Sequence, residues 1–338
     1  MKAAIYRGEK SIGIEDVSIP TPGPGYVLLK MKNCGICGSD LHSFFGQWGQ
    51  SDHASGHEVS GIINELGEGV IGFNIGDRVC AECFSHCGKC RFCEIGKYNL
   101  CDNLRGSSGG NHSGFAEYVI THSSSLFRIP DSLSFEDGAM IEPLAVSYRA
   151  FNRTGAGYQD TILVIGSGTI GLLAVAAARV SGVRRVIATA KYEHQAEMAK
   201  ALGADYVIQE KIRDEVLKIT NGSGADAIVE TTASASGFND AMAAIRKGGS
   251  IVLVGGYHKA LEVNLSRIVG SEIRVTGSSC YGYSGVKKDF EWSTELILSG
   301  RIPVNKLISH RFPLGDVQNA FDTAANKEMK SIKVQIYA

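Results

Sequence analysis

The sequence lacks a charge imbalance, an unbroken membrane-length apolar run and any internal repeat, and each absence excludes a class of protein. Lys and Arg number 34 against 35 Asp and Glu, for a formal net charge of −1. Without an excess of basic residues, neither nucleic acid nor an anionic membrane is an expected partner. The most apolar window, residues 162–180, approaches membrane-spanning length. Three glycines interrupt it, however, at the spacing of a strand followed by a helix.

A secretory signal is also missing at the start of the sequence. The segment "MKAAIYRGEKSIGIEDV" has neither a continuous apolar core nor a cleavage site of small residues. We therefore expect a soluble, cytoplasmic protein. Thiols stay reduced in that compartment, which disfavours structural disulfides.

The pattern along the chain changes near residue 150, and 338 residues suffice for two domains. Before the change, short strand-like runs alternate with Gly- and Pro-rich turns, which is typical of a β-rich barrel or sandwich. After it, apolar runs such as "TILVIG" alternate with helical segments such as "GLLAVAAARVSG" and "FNDAMAAIRKG". This alternation predicts a parallel sheet covered by helices on both faces. After about residue 285, a helix leads to a final strand, "SIKVQIYA".

The segment "VIGSGTIG" predicts a dinucleotide site. Gly166, Gly168 and Gly171 follow an apolar strand and open a helix, the context in which G-x-G-x-x-G is informative. Gly166 would allow the tight turn, Gly168 the close approach of a pyrophosphate, and Gly171 the packing of helix on strand. The phosphates would then lie at the helix N-terminus. The alternative is a glycine turn that binds no ligand.

Nine cysteines are present, and seven of them lie between Cys34 and Cys93. The odd number and the reducing compartment favour metal binding over disulfides. Cys87, Cys90, Cys93 and Cys101 have spacings of three, three and eight, which suits one tetrahedral Zn²⁺. Four thiolates leave no open position, so this zinc would be structural. A disulfide pair and a redox sensor are the alternatives; Cys80 and Cys83 are expected to pack at strand ends.

Taken together, these motifs resemble the zinc-dependent medium-chain dehydrogenases. The resemblance rests on "GICGSDLH", "GHE", the four cysteines, "GFAEYV", "IEPLAVSYRA" and "VIGSGTIG", in that order. "EPLAV" resembles the branch of polyol (sorbitol), threonine and butanediol dehydrogenases. The resemblance implies an α/β protein with a GroES-like, β-rich catalytic domain at 1–148 and 286–338. A Rossmann domain with a doubly wound parallel sheet would occupy 149–285.

A catalytic zinc needs three protein ligands and one open position. Cys37 and the adjacent His57 and Glu58 are the candidates from the residues themselves. The resemblance implies Cys37 and His57 as ligands, with Glu58 bound in some states and water-bridged in others. It also implies Glu142 as a ligand, direct or through water, and Asp40 as the acid that orients the histidine. Taken singly, these residues have ordinary structural interpretations, and Cys34 is interpreted as a packed strand residue.

The zinc site and the cofactor site that the resemblance implies together predict a reaction. A zinc at this site would act as a Lewis acid on the substrate oxygen, and a bound nicotinamide would exchange hydride with the substrate carbon. By resemblance, Ser39 hydrogen-bonds the reacting oxygen and His42 relays the proton through the cofactor ribose. A turn serine and a surface histidine are the alternatives. For the whole protein, the alternative is a non-catalytic nucleotide-binding relative, crystallin-like or regulatory, although such relatives generally lose the zinc ligands.

The second strand of the nucleotide domain predicts the cofactor. An NAD site usually places Asp or Glu at its end, whereas "RVIATAKYEHQ" has Ala190 followed by Lys191. Lys191 and His194 could bind a 2′-phosphate, so NADP(H) is expected. Two alternatives stay open: Glu193 could turn inward and bind the 2′-hydroxyl of NAD(H), and Lys191 could be only a solvated residue at the helix start. The expected cofactor contacts are Gly166, Gly168, Thr169, Ile170, Gly171, Ala190, Lys191, His194 and Val254.

The substrate is less well defined by the sequence. In polyol dehydrogenases an Arg-Tyr pair contacts substrate hydroxyls, and here Tyr281 matches but Cys280 replaces the arginine. Phe45 and Trp48 are candidates for an aromatic substrate pocket or for the core, and His112 is a weaker candidate for substrate contact. We expect a secondary alcohol, polyol or cyclitol-like substrate, or its ketone. The resemblance implies a homo-oligomer, either dimer or tetramer.

Overall fold

The structure is a computed structural model that describes residues 1–48, 54–108, 113–257 and 259–338. His53 and His112 lie outside the described residues. The chain divides into two compact units, one formed by 1–142 and 290–338 and the other by 143–289. The expected boundaries, after 148 and after 285, lie a few residues away.

The first part of the chain is rich in strands. Its elements are β1 (Lys2–Gly8), β2 (Ser11–Asp16), β3 (Tyr26–Gly35), α1 (Gly38–Phe44), β4 (Glu58–Leu66), β5 (Arg78–Ala81), β6 (Phe84–Ser85), α2 (Arg91–Glu94), β7 (Arg105–Gly106), β8 (Tyr118–His122), β9 (Leu126–Arg128) and α3 (Phe135–Ala139).

The middle part alternates helices and strands. Its elements are α4 (Ile141–Thr154), β10 (Thr161–Ile165), α5 (Thr169–Val180), β11 (Arg185–Thr189), α6 (Glu193–Ala201), β12 (Tyr206–Ile208), α7 (Ile212–Ile219), β13 (Ala225–Glu230), α8 (Ala235–Ala244), β14 (Ile245–Leu253), α9 (Leu265–Gly270), β15 (Arg274–Gly277), β16 (Tyr283–Ser284) and β17 (Lys287–Lys288). The last part contains α10 (Asp289–Leu298), β18 (Ile308–Pro313), α11 (Val317–Ala325) and β19 (Lys333–Tyr337).

A seven-stranded sheet forms the first unit, with the order β18-β19-β3-β4-β5-β9 and β8 paired to β3. The long strand β3 lies inside this sheet because three neighbours pair with it. One of them, β19, comes from the last residues of the chain and pairs antiparallel with β3, Ile336 opposite Cys34. The discontinuous unit is therefore completed by the final strand. Its core contains Leu29, Phe115 and Phe321, all nearly inaccessible to solvent.

A six-stranded parallel sheet forms the second unit, with the order β12-β11-β10-β13-β14-β15. This is the 3-2-1-4-5-6 order of a doubly wound nucleotide-binding fold, so the predicted fold class is confirmed. The apolar window at 162–180 forms β10 and α5, and residues 171–178 are buried. No helix among the described residues is long and apolar enough to span a membrane. The helix predicted from "FNDAMAAIRKG" ends at Ala244, where β14 begins.

Candidate active site and zinc sites

The glycine loop between β10 and α5 has the geometry that its sequence predicts. Gly166 has a φ of +94°, and a Cβ on it would lie 2.7 Å from the side chains of Thr231 and Thr232. A Cβ on Gly171 would lie 1.7 Å from the Gly166 carbonyl oxygen. In contrast, a Cβ on Gly168 would meet nothing within 4 Å. The first and third glycines are therefore required by the fold, whereas the second faces open space at the helix start.

The end of β11 fixes this loop through two hydrogen bonds. The Gly166 amide donates to the Thr189 hydroxyl at 2.9 Å, and the Ser167 hydroxyl donates to the Thr189 carbonyl at 2.8 Å. Because Thr189 is the last residue of β11, the glycine loop and the residues that follow β11 are held together.

A cavity of about 470 Å³ lies beside the glycine loop. Its lining includes Gly166 and Gly168, the segment Thr189 to Lys191, the amides of Gln195 and Gln209, and the loop and helix start around Thr232, Ser236 and Asp240. Of the expected cofactor contacts, Gly166, Gly168, Ala190 and Lys191 line it, whereas Thr169, Ile170, Gly171, His194 and Val254 are not among its lining residues. The volume and the position at the carboxyl ends of parallel strands suit a dinucleotide.

No acidic residue stands directly after β11, where an NAD site usually places one. Ala190 is buried at the end of β11, and Lys191 makes no hydrogen bond or ion pair within the part of the chain that the structure describes. The Glu193 carboxylate accepts a hydrogen bond from Gln209 at 3.3 Å. The His194 ring packs 5.8 Å from the Tyr192 ring, and its Nε2 is buried without a hydrogen bond among the described residues.

A buried carboxylate at the end of β13 holds the loop that carries the lining residue Thr232. Glu230 is inaccessible to solvent and accepts hydrogen bonds from the backbone amides of Thr232, at 2.7 Å, and Ala233, at 3.2 Å. The Tyr257 hydroxyl, from the segment after β14, donates to the same carboxylate at 2.5 Å. The loops that follow β13 and β14 are therefore linked through Glu230.

Two of the predicted site residues, Cys37 and Asp40, lie beside His57 in the first unit. Cys37 is the N-cap of α1, so Ser39, Asp40 and His42 all lie on that helix. The Asp40 carboxylate is fully buried, accepts the Cys37 amide at 2.8 Å and the Ser55 hydroxyl at 2.9 Å, and lies 3.9 Å from His57 Nδ1. This position beside the imidazole suits an orienting acid.

The charge environment of His57 identifies its other neighbours. Burial on its own lowers the pKa of His57, but Cys37, Asp40 and Glu142 outweigh burial and raise the pKa well above its ordinary value. Cys37 hydrogen-bonds the imidazole and the Glu142 carboxylate acts on its charge. A thiol, an imidazole and a carboxylate are a donor set of the kind that binds zinc, although the donor atoms of these three residues do not all lie within 4.8 Å of one another. The Ser39 hydroxyl is also buried and has no hydrogen-bond partner among the described residues.

Glu58 is bound to a lysine that the sequence analysis did not identify. Lys333 Nζ lies 2.6 Å from Glu58 Oε1 and also donates to the Ile36 carbonyl at 2.9 Å. Burial on its own lowers the pKa of Lys333, but the Glu58 carboxylate outweighs it and the pKa is raised. The signal was present in "SIKVQIYA", because a lysine within a strand that is buried on both faces needs a counter-charge.

The four thiols of Cys87, Cys90, Cys93 and Cys101 form one cluster. Their sulfur atoms are separated by 3.6 Å for Cys90 and Cys93, 3.8 Å for Cys90 and Cys101, and 3.5 Å for Cys87 and Cys101. A tetrahedral zinc with Zn–S bonds of about 2.3 Å requires sulfur–sulfur separations of ~3.8 Å. Within the described residues, this is the one group of three or more potential ligands whose donor atoms all lie within 4.8 Å.

The pKa values of the thiols in this cluster also favour a bound cation. Hydrogen bonds, the largest from the backbone of Asp102, lower the pKa of Cys90 to about 6. Partial burial and the neighbouring thiols raise the pKa of Cys93 to about 12. Several thiolates cannot coexist at these separations without a positive charge between them, and a bound Zn²⁺ would provide that charge.

The three aromatic residues predicted to contact substrate differ in how exposed they are to solvent. Phe45 is half-buried against the core of the first unit, and Trp48 is 47% exposed with its ring 5.0 Å from that of His42. His42 Nδ1 lies 2.6 Å from the Gln47 amide oxygen. Tyr281 is fully buried in the second unit.

Comparison with known proteins defines the class. The sequence model of the alcohol dehydrogenase GroES-like domain matches residues 23–131, and that of the zinc-binding dehydrogenases matches residues 169–299. A sorbitol dehydrogenase from Halalkalibacterium halodurans is 35% identical over 99% of this chain and 98% of its own. The chain therefore belongs to the zinc-dependent medium-chain dehydrogenases. More particularly, it is an alcohol or polyol dehydrogenase of the polyol branch.

Solved structures agree with this assignment. A zinc-binding dehydrogenase from Sinorhizobium meliloti, bound to NADP, has a TM-score of 0.89 and 30% identity over 100% of this chain and 99% of its own. An alcohol dehydrogenase from Escherichia coli, complexed with NADH, has a TM-score of 0.90 and 29% identity over the same shares. Zinc and a nicotinamide cofactor are therefore supported for this family member, and the two structures hold different cofactors.

Proposed function

We propose that the protein oxidises a secondary alcohol, polyol or cyclitol-like substrate, or reduces the corresponding ketone, at a zinc held by Cys37, His57 and Glu142. When bound there, zinc supplies Lewis acidity toward the substrate oxygen. The observation that carries the proposal is the surroundings of His57, which is hydrogen-bonded to the Cys37 thiol and lies 3.9 Å from the buried Asp40 carboxylate, with Glu142 contributing to its raised pKa. Asp40 holds the imidazole, and Glu58 stands beside the ligands with its charge balanced by Lys333.

Ser39 is the proposed acceptor of the substrate proton. Its hydroxyl is buried with its hydrogen-bonding capacity unused among the described residues, and such a group is costly unless a ligand binds it. A hydroxyl so placed can accept a hydrogen bond from the alcohol and pass a proton on. His42, on the same helix, is the proposed next acceptor, and it is already hydrogen-bonded to Gln47.

NADP(H) is the proposed cofactor. The proposal is supported by Ala190 in place of an acid and by the Lys191 ammonium, both of which line the cavity next to the glycine loop. This ammonium lies 5.6 Å from the centre of the Tyr192 ring and has no ion-pair partner among the described residues. A lysine can bind a 2′-phosphate as a point charge. A carboxylate at position 190 would instead select the 2′-hydroxyl of NAD. Glu193, the nearest acid, is hydrogen-bonded to Gln209.

A second, structural zinc is proposed for the cluster of Cys87, Cys90, Cys93 and Cys101. The sulfur separations of 3.5–3.8 Å support it. Because four thiolates complete a tetrahedron, this zinc would have no open position and would stabilise the segment that carries it.

A homo-oligomer is proposed from the surface of the second unit. Strand β15 is at one edge of the parallel sheet, and edge strands offer unpaired backbone groups. Leu265, Val269 and Val286 are 67%, 77% and 90% exposed in the same unit. Exposed large apolar side chains and an open strand edge in one unit are both features of surfaces that bind a second copy.

The experiment that tests the proposed function is a panel of secondary alcohols, polyols and cyclitols, each assayed with NADP and with NAD. Reduced nicotinamide should accumulate with at least one substrate class, and a zinc chelator should abolish that turnover. Cofactor binding without turnover on any substrate would favour the alternative of a non-catalytic nucleotide-binding relative.

A further inference from the structure

A second polar cavity lies at the amino ends of the parallel strands, whereas the glycine loop lies at their carboxyl ends. It has a volume of about 280 Å³ and is lined where β10, β11 and β13 begin. Thr161 is the first residue of β10 and Arg185 the first of β11, whereas the dinucleotide cavity lies at the carboxyl ends of these strands. The cavity is therefore separate from the proposed cofactor site.

Positive charge dominates the lining. Arg184, Arg185 and Arg246 face a single carboxylate, that of Asp226, which leaves an excess of two positive charges. Both oxygens of this carboxylate are engaged, because Oδ1 accepts Arg246 Nε at 2.6 Å and Oδ2 accepts the Thr161 amide at 2.7 Å. The single negative charge of Asp226 cannot balance the other two guanidinium groups in the lining.

The three arginines differ in how many hydrogen bonds their guanidinium groups already make. Arg185 donates to the Ile219 carbonyl at 2.8 Å, and Arg246 Nη1 to the Lys247 carbonyl at 2.7 Å. Arg184 is exposed and, within the described ranges, makes neither a hydrogen bond nor an ion pair. Its guanidinium is thus available at the cavity, next to the neutral donors of Asn221 and Ser223.

We propose that this cavity binds a phosphate dianion, either inorganic phosphate or the phosphate group of a small monoester. Guanidinium groups match phosphate oxygens in pairs of parallel hydrogen bonds, and such charge-assisted bonds are the stronger kind. The volume accommodates a phosphate and a few attached atoms. Arg184 supplies the uncommitted charge, and Arg246, held by Asp226, supplies a fixed one.

The test uses enzyme saturated with NADP(H), so that the glycine loop is already filled and cannot bind the probe. Inorganic phosphate is titrated calorimetrically at constant ionic strength, with chloride as the balancing salt. One saturable site per chain is expected, and Arg184→Gln should weaken its affinity about tenfold by removing charge-assisted bonds. Arg213→Gln is the matched control, because Arg213 is exposed on α7 and does not line the cavity.

A parallel titration with glycerol phosphate, and with glycerol alone, distinguishes the two sources of the phosphate group. Binding of glycerol phosphate but not of glycerol supports a monoester ligand, and binding of inorganic phosphate alone supports the free ion. The proposal is overturned if neither phosphate compound saturates a site in the holoenzyme, or if Arg184→Gln and Arg213→Gln bind as the wild type does.

Discussion

Lys333 and Glu58 form a buried ion pair that joins the last strand of the chain to the first residue of β4. Nζ lies 2.6 Å from Oε1, and the side chains are 2% and 1% exposed. Glu58 directly follows His57, so the pair fixes a carboxylate beside the proposed zinc ligands. Lys333 would therefore compete with a zinc for this carboxylate, and the choice between direct and water-bridged binding of Glu58 would depend on that competition.

We expect Lys333→Met to destabilise the fold by about 3–5 kcal/mol, because it leaves the Glu58 carboxylate buried without a counter-charge. The free energy of unfolding, measured in denaturant, checks this. Adding Glu58→Gln should recover much of the loss, since both charges are then absent. Lys306→Met, at an exposed site, should change stability by less than about 0.5 kcal/mol. A single Lys333→Met variant as stable as the wild type would show that the pair is not needed.

We expect Ser39→Ala to lower kcat by roughly 10²-fold or more, in line with losing a positioned proton-transfer group. The cofactor Kd should barely change. Ser39→Thr keeps the hydroxyl and should retain most of the activity. If Ser39→Ala turns over normally under conditions where chemistry limits the rate, Ser39 has no part in proton transfer.

Tyr257→Phe should raise the cofactor KM severalfold and leave kcat nearly unchanged. The phenol donates to the buried Glu230 carboxylate that holds the Thr232 loop against the cofactor cavity, and a hydrogen bond to a charged group contributes about 1.5–3 kcal/mol. Tyr206→Phe is the control, because Tyr206 is 44% exposed on β12. An equal effect of the two substitutions would contradict a positioning role for Tyr257.

Cofactor choice gives a further prediction. Wild type should show a higher kcat/KM with NADP(H) than with NAD(H), and the double variant Ala190→Asp, Lys191→Ala should shift that ratio by several kcal/mol towards NAD(H), about 1.4 kcal/mol for each tenfold. Lys200→Ala, at an exposed lysine on the helix α6 that follows, should leave the ratio unchanged. A wild-type preference for NAD(H) would mean that the end of β11 has been misinterpreted.

Much of the fold was predictable because its signals are local. The glycine loop, the alternation of strands and helices, and the spacing of Cys87, Cys90, Cys93 and Cys101 all lie within short segments. The ion pair of Lys333 with Glu58 and the bond from Tyr257 to Glu230 were not predicted. Both join residues distant in sequence, so only the strand pairing and the connection of the loops reveal them. His194 illustrates the same limit, because its position as the second residue of α6 does not specify which way the ring points.

Metal content is the most direct test of the central claim, that this chain performs hydride transfer at a zinc bound by Cys37, His57 and Glu142 and carries a second zinc on four thiolates. We expect two Zn²⁺ per chain in active wild type. Cys37→Ser should be folded but inactive, with about one zinc retained, and Cys90→Ser should lose thermal stability together with its structural zinc. Fully active protein that contains one zinc or none would contradict the account.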